Sequence, residues 1–151
     1  MSKGIRTAVV PVIDTNIYAS GDLLGDKLTF EGAVDDVGAR ASLLRSLVIA
    51  DKADQKADVD LVLFDSDPTN STFTNNAAFV VHDSDIDKVT AVIPVTTHVD
   101  LGTASVSYAS AVDALLTGDA DGKVYGALVV RATPTYAVGD LTVTLGLESL
   151  G

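Results

Sequence analysis

A period of two in the apolar residues is what most constrains this chain. In Leu141-Thr142-Val143-Thr144-Leu145-Gly146-Leu147 every second side chain is apolar, so a strand there offers one face to a core and the other to solvent. Lys27-Leu28-Thr29-Phe30-Glu31 repeats the pattern around Leu28 and Phe30. Asp58-Val59-Asp60-Leu61-Val62-Leu63-Phe64 starts by alternating and ends apolar on both faces, as a strand does when its second face is also covered. The runs 123–131 and 89–95 are rich in β-branched residues and have strand length. Pro94 has no N–H for a central ladder, which puts its strand at a sheet edge or a bulge. Thr7 to Val12 and His98 to Tyr108, the latter broken at Gly102, bring the set to about eight strands. The expected fold is therefore all-β: an antiparallel, jelly-roll-like β-sandwich, with at most one or two short helices.

Turn chemistry separates these runs. Ser20-Gly21-Asp22, the stretch 65–70, Asn75-Asn76, the stretch 118–122 and Val138-Gly139-Asp140 are rich in residues that accept positive φ or close side-chain turns. Two stretches, Ala39 to Ala50 and Tyr108 to Thr117, fit a helix or a strand equally by spacing. Ser84-Asp85-Ile86-Asp87 resembles a weak capping box that opens one helical turn, its acids favoured by the helix dipole.

A chain of 151 residues predicts one domain, with residues 1–25 as an N-terminal arm or first strand packed on a sandwich of residues 26–151. At that size ~68–70% of the unfolded surface is buried on folding, enough for a core without disulfides, and the chain has no Cys. Ten basic residues against 21 acidic ones give a formal charge of −11. That balance disfavours nucleic-acid backbones and anionic membranes, which both attract basic surfaces. The apolar run Ala8 to Ile13 is broken by Pro11 and is too short for a signal-peptide core. No segment approaches the ~20 apolar residues of a membrane helix, so the expectation is a soluble, unprocessed protein made in a cytoplasm.

The residues assign no catalytic, cofactor-binding or metal-binding site. Thr117-Gly118-Asp119-Ala120-Asp121-Gly122 has part of a calcium-loop pattern, but Thr117 stands at the first ligand position and Leu128 where the bidentate Glu belongs. A hairpin turn is the preferred reading. Asn70-Ser71-Thr72 is a formal glycosylation sequon that reads as a polar loop. A triad could be written from His82, Asp83 and one of many serines, but no Ser sits in a Gly-x-Ser-x-Gly elbow. With 21 acids, a glycosidase-like carboxylate pair is free to find, and Gly21 to Gly25 lacks the Lys of a P-loop. Trp is absent and Tyr18, Tyr108, Tyr125 and Tyr136 are scattered, which weakens a sugar-stacking site; Tyr136 is expected to seal a sandwich edge or an interface.

Three stretches resemble small virion structural proteins of tailed bacteriophages. They are Ile13 to Gly25 followed by Lys27-Leu28-Thr29-Phe30; Asp60 to Pro68 with Thr72 to Phe79; and Arg131 to Tyr136 with Asp140 to Val143. The resemblance implies a β-sandwich virion component, a capsid decoration (cement) protein that contacts the major capsid protein and commonly forms homotrimers over capsid symmetry axes. It also implies a non-enzymatic role, a place on the virion surface, and a strand rather than a helix around Leu43 to Ala50. The alternatives are a tail or fibre component and a carbohydrate-binding host-adhesion module.

Overall fold

The computed structural model describes residues 3–38 and 40–151. Nine strands run in chain order: β1 (Lys3–Val9), β2 (Leu28–Phe30), β3 (Ala41–Asp51), β4 (Val59–Phe64), β5 (Val89–Val95), β6 (Thr97–Asp100), β7 (Ser105–Thr117), β8 (Val124–Val130) and β9 (Leu141–Ser149). They form a five-stranded sheet in the order β1-β9-β3-β7-β6 and a four-stranded sheet in the order β2-β8-β4-β5. Every pairing between these strands is antiparallel. Apart from β6, the first strand pairs with the last, the second with the next to last, and β3 with β7. The chain is thus wound on itself around the β4–β5 hairpin, in the order of a jelly roll.

The two ambiguous stretches are strands. Ala41–Asp51 and Ser105–Thr117 are the longest in the fold, and they pair with one another. Leu44, Leu47 and Ile49 are buried while Arg45 and Ala50 are exposed. A register shift between Leu44 and Ser46 lets the exposed Arg45 fit without turning the rest of β3 over. The break at Gly102 separates β6 from β7, and with the ambiguous stretch Ala41–Asp51 also a strand the count is nine where about eight were expected. Pro94 lies on β5, an edge strand of the smaller sheet. The first strand begins and ends earlier than its apolar pattern predicts, since Pro11 stops pairing at Val9.

The core lies between the sheets. Leu44, Leu47, Val143, Leu145 and Leu147 of the larger sheet meet Leu28, Phe30, Leu61, Leu63 and Leu128 of the smaller one. Gly126 makes room for Phe30: a Cβ there would lie 3.0 Å from the Phe30 ring. A second cluster of Leu23, Phe64, Tyr125 and Ala127 covers the far face of the smaller sheet, joined by Phe73, Phe79 and Val81. This explains why β8 is buried at all seven positions and why β4 ends apolar on both faces. Leu23 and Leu24 run beside β8, Leu23 bridging Val129, and their N–H groups donate to the carbonyls of Ala77 (2.9 Å) and Leu128 (2.8 Å).

Candidate interaction surface

The two outer faces of the sandwich are treated differently. Phe73, Phe79 and Val81, with Leu23, cover the outer face of the smaller sheet, while Ile13, Tyr18 and Leu24 pack into the core between the sheets, and polar side chains hold the two segments together. Asn75 Oδ1 accepts from the Tyr18 hydroxyl and from the Gly25 N–H, both at 2.8 Å, and Asn75 Nδ2 donates to Asp14. Tyr18 is itself buried and packs edge-on against Tyr136, which is buried as well and belongs to the core between the sheets.

Among the described residues, no such cover lies over the larger sheet. Its inward positions are buried, and the alternate positions, among them Ala8, Val48, Ala50, Val99, Val106, Tyr108, Thr142 and Thr144, stay open or half-open. Register lines these residues up across the strands. Tyr108 stands beside Thr97 and Val48, Val48 beside Thr144, and Thr144 beside Ala8. Val106 likewise joins Val99 to Ala50 and Thr142. These two rows contain no charged residue, and such exposed apolar patches mark contact surfaces. Above them the face carries Arg6, Arg45, Asp113 and Glu148. Arg45 is paired to both Asp113 and Glu148. Two cations and two anions sum to zero, so the chain's formal charge of −11 lies wholly outside this face. Gly4, Ser46 and Gly146 project little, leaving a hollow of about 430 Å³ walled by Arg6, Arg45, Val48 and Thr144.

The polar clusters noted from the sequence are taken up by the fold. His82 and Asp83 do not form a triad. His82 Nδ1 caps the 3-10 turn Asp83–Lys88 by accepting from the Ser84 N–H at 3.1 Å, so the cap is His82 and not Ser84. Asp85, expected on a solvated turn, is fully buried. Burial alone would raise its pKa, but hydrogen bonds from Lys88 (2.9 Å), Ser71 (2.8 Å) and the Asn70 N–H (3.0 Å) overcome that and hold it at about 2. The sequon loop is thereby tied to this turn. In the hairpin between β7 and β8, Asp119 Oδ1 accepts from the N–H groups of Asp121 and Lys123, and Oδ2 accepts from the Tyr125 hydroxyl at 2.7 Å. Burial works against ionisation of Asp119; those donors outweigh it and lower its pKa. The same contact, together with burial, raises the pKa of Tyr125. Both carboxylate oxygens of Asp119 are therefore held by the turn. Among the described residues, no group of three acids, histidines or cysteines is placed to hold a metal ion.

Among the described residues, a Ser–His–Asp series involves residues that sequence spacing did not bring together. His98 on β6 contacts Asp58 Oδ1 through Nε2 at 2.8 Å and Ser107 Oγ on β7 through Nδ1 at 2.6 Å. Ser107 is buried, however, and faces an interior cavity of only about 10 Å³. That is about the space of one water, too small for an acyl group. The series joins β6 and β7 to the start of β4 and so ties the two sheets at one end. No family model matches the chain, and no curated protein does.

Proposed function

We propose that this chain is a structural protein of a tailed-bacteriophage virion, a capsid decoration (cement) protein that stabilises the head by bridging major capsid protein subunits. The observation that carries the reading is the bare, net-neutral outer face of the five-stranded sheet on a chain that is otherwise strongly acidic. A protein that works by contact needs such a surface. The resemblance of the three sequence stretches to virion proteins selects the kind of assembly. Small contact energies suffice in this role, because many copies act on one shell. The acidic remainder of the surface keeps the protein soluble and repels the packaged genome.

Purified protein mixed with undecorated heads is expected to co-sediment with them and to saturate at a fixed number of copies per capsid subunit. Binding to isolated tails alone would move the protein to a tail or fibre. Affinity for glycans with none for heads would make it an adhesion module.

A further inference from the structure

We propose that a second copy of this chain covers the outer face of the five-stranded sheet, the two sheets packing face to face about a two-fold axis that runs along β3. The inference rests on reading that face as a contact surface and names its occupant as a second copy, so that the dimer meets a capsid through its remaining surfaces. Three observations argue for a second copy.

The first is size. Five strands spaced ~4.8 Å apart, with β9 nine residues long at ~3.4 Å each, make a face of about 700 Å². Two such faces bury about 1,400 Å², within the range of stable, specific interfaces. The second is charge. Copies at −11 repel one another through most of their surfaces, whereas the rows through Val48 and Ala50 carry no charged residue and can meet their own image without that penalty.

Shape is the third. β3 is the central strand, with β9 on one side and β7 on the other. A two-fold axis along β3 therefore lays β7 of one copy over β9 of the other. The half-buried Tyr108 on β7 then comes down over Thr144 and the hollow beside Gly146, twice in the dimer. A rigid aromatic entering a glycine-floored depression is the usual form of an interface anchor. The same axis brings Val48 of β3 against Val48 of its partner.

Sedimentation equilibrium on the isolated full chain tests this without any capsid. The expected mass is twice 15.6 kDa at about 10 µM, as an interface of this size supports. Tyr108→Ala is expected to raise the dimer dissociation constant at least ~10-fold, with an unchanged far-UV circular dichroism spectrum showing that the fold is intact. Because the chain has no Cys, Val48→Cys gives a single thiol. A short bis-maleimide should link it into two-chain species, while Val138→Cys, exposed on a loop, should stay single. A single-chain mass overturns the proposal, and so does a three-chain mass, a mass that Tyr108→Ala leaves unchanged, or a Val48→Cys protein that does not link. If the dimer forms as described but heads are not bound, it is the capsid reading that fails and not this one.

Discussion

Phe30→Ala is expected to lower the free energy of unfolding by about 3–5 kcal/mol, read as a shift of the urea midpoint at unchanged slope. Phe30 is fully buried on β2, a strand of only three residues, and its ring lies over the bare Cα of Gly126 on β8. Little can fill the space it would leave. Gly126 has no side chain to move into it, and the neighbouring leucines, Leu61 and Leu63, are themselves fully buried. Since β2 is held through its pairing with β8, the loss should be felt first at that edge of the smaller sheet. A cost below ~1 kcal/mol, the size of a surface change, would mean that Phe30 is not packed as described.

Asp85→Asn is expected to lower the melting temperature at pH 7 by on the order of 10 °C, because it leaves Lys88 facing a neutral group at a buried position. The effect should depend on pH, and its sign follows from proton uptake. The unfolded carboxyl titrates near 3.8 and the folded one at about 2, so between these values the unfolded chain binds the extra proton. The contribution of Asp85 to stability is complete above pH 3.8 and is lost as pH falls through about 2. Thermal melts of both proteins across this window should show the gap between them narrowing as the pH drops. A gap that stays constant would show that the carboxylate is not held by those donors.

The fold was largely legible because its main determinant is local. Alternation in β2, β4 and β9 needs only neighbouring residues to be recognised, and Pro94 names its own edge position. Ala41–Asp51 was harder, since leucine spacing there serves a helix as well as a strand. The decision comes from pairing with β7 and β9, which lie about 60 and 100 residues further along. Asp85 was misplaced for a related reason: nothing within its own segment reveals that Asn70 and Ser71 fold back onto it. The Asp58–His98–Ser107 series spans two strands and a loop, and no spacing rule finds it. One signal for the bare face was present in the sequence. The outward positions of β9 are Thr142, Thr144 and Gly146 before the first charge at Glu148, an uncharged row unusual on a chain with 21 acids. What could not be read is that Phe73, Phe79 and Val81 fold over the other sheet while this one stays open.

The most direct test of the account is the protein's position in an assembled particle. Electron microscopy of heads prepared with and without the protein should show added density at fixed, symmetry-related sites on the outer capsid surface. Density confined to the tail, or heads that look the same with and without the protein, would contradict it.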